Sequence, residues 1–542
     1  MNILFIVVPY LPETDFVDIT SKDRSFKNIP YGVMSISTYL KLKAQNECSV
    51  KILDLNLVYS SEIDAYTEKA LKSFKPDVVG ISLMFDTSYS YLGRISKLIK
   101  VYDRDIITLG GGMSATTSYK EMIEEQTDID AICYSEGENS FLRFIRSEDK
   151  MEFLNNDDSF VTRDSLKAGI SPVPSKLENL DDTADLDYSL IDIQQYNMRE
   201  AFSPFASSSD KNRQFFLITS RGCPFKCTFC HFSAHDDKSM RYISIDRIVK
   251  HITELVDKYG MNVLTIYDDQ LLANKNRAKE LFRVIAPFNI RVEMPNGLTA
   301  AYIDDEMAML MKKAGVDSVQ IAIESGSQYV SKNLINKPIR LTKIKEIVGY
   351  LRKYEIWVQG FFVTGMPGEL DEHREETLNF IKETNFDWSS FSLAFPSAGS
   401  KLHQLCVEKG YIDKDTSILK LDHSQEYVIN NPDYSKQHII EQSYLMNLDA
   451  NFVNNFRMSI GDFLTAEKAF KDVLARYPQQ AFARYYLRQA LIAQGKHKEA
   501  EACFETLVNT VDSNPKWLSY FDYFNIDYAD TVDLSIKLTK VS

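Results

Sequence analysis

The stretch SRGCPFKCTFC, from Ser220 to Cys230, places Cys223, Cys227 and Cys230 in the spacing C-x3-C-x2-C. Three thiolates with this spacing can bind three iron atoms of a cubane 4Fe-4S cluster and leave the fourth iron without a protein ligand. Two other interpretations are a structural zinc site, which needs four closed ligands and has the neighbouring His231 as a candidate, and three packed thiols without a metal.

The residues that follow this stretch alternate between short apolar strands and helix-compatible segments. From Phe215 onward we expect six strands, which end at Ser220, Tyr267, Met294, Ile323, Val363 and Ala394. A closed barrel of this kind has eight units, so the pattern predicts a partial, open (β/α)6 barrel whose mouth is formed by the loops after the strands. The three cysteines lie in the first of these loops, which favours the cluster over the zinc and packing interpretations.

The first 150 residues show the same alternation and predict a doubly wound, Rossmann-like (flavodoxin-like) parallel sheet. Its expected strands are residues 3–8, 50–54, 78–83, 106–109 and 131–134. Ligands of such sheets bind beyond the carboxyl ends of the strands, and those ends carry Pro9, Ser82, Gly110, Gly111, Gly112, Glu136 and Gly137. Glycines at a strand end let the backbone approach a ligand closely, although a plain tight turn explains them equally well.

The last hundred residues predict helices alone. Gly461, Ala466 and Phe470 recur 34 residues later as Gly495, Ala500 and Phe504, the period of a tetratricopeptide helical pair. So few repeats do not form an independent unit, so we expect them to pack on the barrel. The predicted organisation is a sheet domain at 1–150, a linker at 151–210, the barrel at 211–405 and an all-α domain at 406–542.

Composition limits the possible functions. Of 542 residues, 44% are apolar and 25% are charged, which is typical of globular domains. The net charge of −14 has the wrong sign for binding along DNA or RNA, so we expect no nucleic-acid partner. No apolar run approaches the ~20 residues of a membrane span, and the apolar stretch near the start lacks the basic region of a secretion signal. We therefore expect a cytoplasmic protein without a membrane span.

The cysteine loop resembles the signature CxxxCxxC of the radical S-adenosylmethionine (SAM) superfamily. In that family the open iron binds the amino and carboxylate groups of SAM, and reduction of the cluster cleaves SAM to methionine and a 5′-deoxyadenosyl radical. The resemblance implies SAM contacts at further positions in this chain. These are Phe229 near the adenine, Tyr267, Asp268 and Asp269 near the methionyl group, Glu324 and Ser325 near the ribose or amino group, and Gly365 in a GxPGE-like turn, GMPGE; Gln359 joins them as a polar residue near a predicted strand end.

The N-terminal segments resemble the cobalamin-binding domain of class B radical SAM enzymes. The resemblance assigns cobalamin contacts to Pro9, Tyr31, Ser82, Met84, Gly110, Gly111, Gly112, Glu136 and Gly137. All eight histidines lie at or after His231, so no imidazole of this domain can bind cobalt. We therefore expect a His-off cobalamin whose lower face meets water or apolar side chains, with loss of the cofactor as the alternative.

The resemblance implies an enzyme that transfers a methyl group from methylcobalamin to an unactivated carbon. Alternatives are a radical SAM cyclase or rearrangement enzyme, possibly one without cobalamin, and a tetratricopeptide adaptor. Each cluster needs three or four thiolates, and the other four cysteines, Cys48, Cys133, Cys406 and Cys503, are too scattered to bind a second cluster. The expected partners are a flavodoxin-type or ferredoxin-type electron donor and a small-molecule or carrier-bound substrate.

Overall fold

The computed structural model describes residues 1–10, 28–183, 185–196, 212–230, 239–413, 416–421 and 427–529. These residues form a parallel sheet with flanking helices, a partial barrel and a helical C-terminal region, in the order that the sequence predicts. Among the described helices, none combines the length and the apolar character that a bilayer span requires.

The first sheet has six strands in the order β2-β1-β3-β4-β5-β6. Their bounds are Asn2–Val7, Ser49–Asp54, Val78–Ser82, Ile107–Gly111, Ala131–Cys133 and Phe160–Val161 for β1 to β6. The apolar run of β1 is buried on both faces because β2 and β3 flank it in parallel and helices cover the sheet. Helices α1 to α8 span Tyr31–Lys43, Ile63–Phe74, Tyr89–Tyr102, Met113–Thr117, Tyr119–Glu125, Glu138–Arg146, Lys150–Asn156 and Arg163–Lys167.

The sixth strand differs from the sequence prediction. Phe160–Val161 pairs antiparallel with β5 at the sheet edge, and it lies in the segment predicted as a linker. With α7 and α8 beside it, the early part of this segment extends the first unit instead of connecting two units. A strand of two residues has no periodicity from which it could be recognised.

The second unit is a partial barrel with six parallel strands. These are β7 Gln214–Leu217, β10 Val263–Ile266, β11 Arg291–Glu293, β12 Ser318–Glu324, β13 Trp357–Thr364 and β14 Trp388–Leu393. They form two three-stranded sheets, β11-β10-β7 and β12-β13-β14, and bridges from Val292 to Val316 and from Leu298 to Ile321 join the two. Helices α9 to α14 span Ile245–Tyr259, Lys275–Ile285, Asp305–Lys313, Ile344–Lys353, Asp371–Thr384 and Lys401–Lys409. The predicted (β/α)6 architecture is confirmed.

The helical region contains α15 to α20, at Lys436–Leu448, Phe456–Ser459, Phe463–Arg476, Ala481–Ala493, His497–Ser513 and Lys516–Tyr523. It packs on the barrel, as expected. The side-chain amide of Asn451 accepts from the Ser389 N–H at 2.8 Å and donates to the Ser389 carbonyl at 2.7 Å, so it satisfies the open edge of β14. Arg457 adds an ion pair with the buried Asp387 at 2.6 Å.

Candidate active site between the two sheets

The cysteine loop is closed by a short antiparallel hairpin. Strand β8, Ser220–Arg221, pairs with β9, Arg241–Tyr242, so the first barrel strand ends at Leu217 and not at the predicted Ser220. Gly222 has a φ of 107°, and a Cβ at this position would lie 2.3 Å from the Ser239 carbonyl oxygen. Glycine is therefore required immediately before Cys223, because any side chain would push the two arms of the hairpin apart.

The barrel holds the cysteine loop through its backbone. The Thr228 N–H donates to the Ile335 carbonyl at 2.9 Å, and its hydroxyl donates to the Leu334 carbonyl at 2.7 Å. The Thr228 carbonyl accepts from the Leu402 N–H, the first turn of α14, at 2.8 Å. The loop is thus fixed from two later barrel segments, which leaves the three cysteines partly exposed and unbridged.

The three cysteines lie in one loop and are free and partly exposed, so their thiolates are available as cluster ligands. Among the described residues, no set of three His, Cys, Asp or Glu side chains converges on one metal ion. In a cubane each thiolate binds a different iron atom, so convergence on a single point is not required. His231, the alternative zinc ligand, lies outside the described residues.

A buried ion pair stands beside the cysteines. Glu324 ends β12 after a register shift, has a φ of 70° and accepts from Lys337 Nζ at 2.8 Å. The pKa of Cys227 is raised to about 11, mainly by burial; the Lys337 ammonium acts against this rise and the Glu324 carboxylate contributes to it. Irregular strand ends of this kind are common beside active sites, where they redirect a side chain. The sequence predicts Glu324 as a site residue, whereas no motif includes Lys337.

Two of the predicted SAM contacts stabilise the loops. Asp268 is buried and accepts from the Thr219 N–H at 2.5 Å and from the Ser220 hydroxyl at 2.5 Å, so it fixes the entry to the hairpin. Ser325 is also buried, and its hydroxyl bonds with Thr377 at 3.1 Å and accepts from the Ser327 N–H at 3.1 Å. Local hydrogen bonds hold both side chains in place, and the SAM contacts that the resemblance implies for them stay predictions.

The next residue, Asp269, is placed closer to the cysteines. Burial raises the pKa of its carboxyl to about 7, the charge of Asp268 raises it further, and the backbone N–H of Gly222 lowers it. Tyr267 packs against Phe216 with the rings tilted and their centroids 5.2 Å apart. Gln359 lies five residues before the end of β13, about 17 Å from the mouth at the usual rise per residue. Its amide donates to the Ser390 hydroxyl at 2.5 Å, and it does not line the mouth.

The GMPGE turn and the cysteine loop contribute side chains to one apolar cluster. Phe229 packs in the same apolar cluster as Met366 and Ile439. Gly365 has a φ of 84°, its N–H donates to the buried Glu369 carboxylate, and its carbonyl accepts from the Tyr427 hydroxyl at 2.5 Å. Tyr427, in a segment after the barrel, therefore holds the turn, and no sequence motif predicts this contact.

The carboxyl edge of the first sheet carries an open apolar surface. Met84 and Phe85 are 46% and 51% exposed after β3, and they line a cavity of about 200 Å³ together with Met113, Ser114 and two barrel residues, Ser397 and Ala398. Ser82, Pro9 and Tyr31 lie at the same edge, where the Tyr31 hydroxyl contacts the Ile218 carbonyl at 3.5 Å. Exposed apolar side chains without an imidazole fit the flat face of a His-off corrin.

The three consecutive glycines have different roles. A Cβ at Gly110 would lie 2.6 Å from Ile132, and one at Gly112, where φ is 101°, would lie 2.3 Å from the Leu83 carbonyl oxygen. Gly137 is similarly confined, 2.6 Å from Ile36. Close packing requires glycine at Gly112, where the new atom would meet backbone, whereas at Gly110 and Gly137 it would meet the ends of isoleucine side chains. The cobalamin contacts predicted for these glycines stay predictions. Only at Gly111, among these four positions, would a Cβ make ordinary contacts.

Glu136 was also predicted to contact cobalamin. In the structure its carboxylate pairs with two arginines of the barrel domain. It contacts Arg221 at 3.0 Å and Arg241 at 2.5 Å, the two paired residues of the hairpin that closes the cysteine loop. Burial opposes its ionisation, but the two guanidinium groups hold the pKa of Glu136 below its ordinary value. The loop after β5 therefore contacts the barrel mouth, and the carboxyl edges of the two sheets face each other.

Comparisons with known proteins agree with this arrangement. The family model of the Radical SAM superfamily matches residues 217–381, that of the B12 binding domain matches 22–145, and a tetratricopeptide repeat model matches 458–519. Cytidylyl-2-hydroxyethylphosphonate methyltransferase of Streptomyces wedmorensis is 30% identical over 412 residues, 71% of this chain and 76% of that protein. Anaerobic magnesium-protoporphyrin IX monomethyl ester cyclase of Rubrivivax gelatinosus is 25% identical, over 70% of this chain and 66% of that protein.

Two solved structures share the fold. The cobalamin-dependent SAM radical enzyme OxsB, with aqua-cobalamin and SAM bound, has a TM-score of 0.64 at 14% identity and covers 99% of this chain and 83% of its own. The radical SAM methyltransferase TsrM of Kitasatospora setae has a TM-score of 0.59 at 14% identity, over 76% of this chain and 77% of its own. The matches confirm the predicted enzyme class, the predicted cofactors (an iron-sulfur cluster, SAM and cobalamin) and the tetratricopeptide repeat. The chain belongs to the cobalamin-dependent radical SAM enzymes.

Proposed function

We propose that this enzyme transfers a methyl group from cobalamin to an unactivated carbon of a small-molecule or carrier-bound substrate. The observation that carries the proposal is that the carboxyl edges of the two sheets face each other. Glu136 of the first sheet contacts the hairpin of the cysteine loop, and Met84 shares a cavity with Ser397 of the last barrel loop. Ligands of both sheets therefore face a common space in which a substrate can meet both.

The residues of the mouth suit SAM. When bound, the cluster supplies an electron to SAM and cobalamin supplies the methyl group. Glu324, held by Lys337 at 2.8 Å, lies beside the cysteines, where the resemblance implies a contact with the ribose or amino group of SAM. The Gly365 turn and Phe229 offer a backbone and an aromatic face for the adenine. The barrel buries the Glu324–Lys337 ion pair, and the exclusion of water strengthens the attraction between the two charges.

The names of the relatives support methyl transfer first and cyclisation second. The Streptomyces wedmorensis relative is named a methyltransferase, and the Rubrivivax gelatinosus relative a cyclase. Both outcomes need a one-electron donor, which we propose to be a flavodoxin or a ferredoxin. Hydrogen abstraction from carbon is common to the two, so the fate of the methyl group of SAM distinguishes them.

The test uses anaerobic enzyme reconstituted with iron, sulfide and hydroxocobalamin, a one-electron reductant and SAM that carries a CD₃ group. We expect 5′-deoxyadenosine, S-adenosylhomocysteine and a +17 Da product among candidate metabolites, in proportion to one another. A cyclase would form 5′-deoxyadenosine without deuterium in the product. Continued 5′-deoxyadenosine formation by the triple variant Cys223→Ala, Cys227→Ala, Cys230→Ala would refute the proposal.

A further inference from the structure

Four charged side chains connect the first sheet to the cysteine loop. Glu136 and Glu138 lie in and after the loop that follows β5, and Arg221 and Arg241 lie opposite each other in the β8-β9 hairpin. Arg221 contacts Glu136 at 3.0 Å and Glu138 at 2.8 Å, and Arg241 contacts Glu136 at 2.5 Å. All four side chains are at most 20% exposed.

Neighbouring groups add further hydrogen bonds to the network. The Ser35 hydroxyl, on α1, donates to Glu138 at 2.6 Å and accepts from Arg221 at 3.0 Å. The Leu177 N–H donates to Glu136 at 2.9 Å, and the Leu177 carbonyl accepts from Arg241 at 2.7 Å. The Arg241–Glu136 pair is bidentate and the network is largely buried, unlike the exposed ion pairs that contribute little to stability.

The position of the network matters more than its strength. Arg221 is two residues before Cys223, and its partner in the hairpin, Arg241, follows the cysteine loop, so the two arginines bracket that loop at its base. Glu136 contacts both of them and extends from the carboxyl edge of the first sheet. One carboxylate therefore fixes the hairpin relative to the sheet, and buried charge pairs of this kind favour one geometry over alternatives because every misaligned arrangement leaves a charge unpaired.

We propose that Glu136, Glu138, Arg221 and Arg241 are positioning residues that set the separation and angle between the cobalamin site and the cluster site. The inference rests on the proposed methyl transfer, in which the substrate radical must meet the methyl group before it is lost by another reaction. Reactants misplaced by about 1 Å can lose about 100-fold in rate. Loosening the network should therefore reduce methyl transfer while SAM cleavage, which needs only the barrel, continues.

The experiment compares Glu136→Gln and Arg241→Lys with the control Arg143→Gln. Arg143 forms a partly exposed ion pair with Asp157 at 3.0 Å in the same domain and does not contact the barrel. The first readout is the ratio of methylated product to 5′-deoxyadenosine. We expect this ratio to fall about tenfold in Glu136→Gln and less in Arg241→Lys, which keeps the charge, with 5′-deoxyadenosine formation and iron content within about twofold of wild type.

The second readout is the distance between cob(II)alamin and the reduced cluster, measured by pulsed electron paramagnetic resonance. We expect one narrow distribution in wild type and in Arg143→Gln, and a broadened or shifted one in Glu136→Gln. The proposal is overturned if the distance is unchanged, or if product and 5′-deoxyadenosine fall equally. If wild type forms 5′-deoxyadenosine but no methylated product, the proposed function fails and the distance alone decides this inference. If Glu136→Gln does not fold, the same two readouts on Arg241→Lys decide the proposal.

Discussion

Replacement of Gly222 by alanine should disturb the geometry of the cysteine loop, and comparison with a second glycine variant distinguishes this effect from a general loss of stability. The positive φ at Gly222 costs an L-residue about 1–2 kcal/mol. Gly260, at the end of α9, has a φ of 67°, and a Cβ added there would meet nothing within 4 Å. The control variant Gly260→Ala therefore has the backbone cost without a clash. At Gly222 the new Cβ would also lie 2.3 Å from the Ser239 oxygen. Ordinary carbon-oxygen contacts are about 3.3–3.6 Å, so the two arms of the hairpin must separate by about 1 Å.

That shift moves Cys223 relative to the two other cysteines. We expect Gly260→Ala to lose about 1–2 kcal/mol in the free energy of urea unfolding and Gly222→Ala to lose more. Only Gly222→Ala should lose iron content and at least about tenfold in the rate of 5′-deoxyadenosine formation. Iron and sulfide analysis, urea unfolding and anaerobic product analysis measure the three quantities. Equal activity of Gly222→Ala and Gly260→Ala would refute the claim that the hairpin geometry sets the cysteine positions.

Three further predictions concern contacts around the mouth and the helical region. Tyr427→Phe removes the donor to the Gly365 carbonyl, so we expect a loss of about 1–3 kcal/mol and a raised KM for SAM at unchanged kcat; an unchanged KM would contradict a role in holding the turn. Burial raises the pKa of Glu369 to about 7, against the lowering by the Gly365 N–H and Arg374, so the folded state binds its proton more tightly than the unfolded state. Stability should therefore fall as pH rises from about 4.5 to 7, by up to about 1.4 kcal/mol per pH unit, and urea unfolding of Glu369→Gln should lack this slope; an identical slope in both proteins would refute it. Asn451→Ala leaves the Ser389 backbone groups unpaired, so we expect a loss of about 2–4 kcal/mol and proteolysis between barrel and helices, whereas Asn454→Ala, at an exposed bond with Asp449, should resist cleavage like wild type.

The sequence predicted the strands and the cysteine loop because both depend on local patterns. The run Ile3 to Val8 is apolar throughout because both faces of β1 are covered, and C-x3-C-x2-C is itself the chemical requirement. The order of strand-end residues along the barrel followed from one periodic pattern.

The contacts that position the site were not predictable in the same way. Lys337 reaches Glu324, Arg241 reaches Glu136 and Tyr427 reaches Gly365 across 13, 105 and 62 residues of sequence. The periodicity of the sequence does not predict such pairs, because their side chains meet only in the folded structure. For the same reason, the contacts by which Glu136 and Ser325 hold loops of the folded chain could not be predicted from the sequence.

The most direct test of the account is electron-nuclear double resonance of the reduced, anaerobically reconstituted enzyme with SAM labelled with ¹⁵N in its amino group. The account predicts one cluster per chain, bound by Cys223, Cys227 and Cys230, with a hyperfine coupling to the labelled nitrogen. Zinc in place of iron, or an iron signal without that coupling, would contradict it.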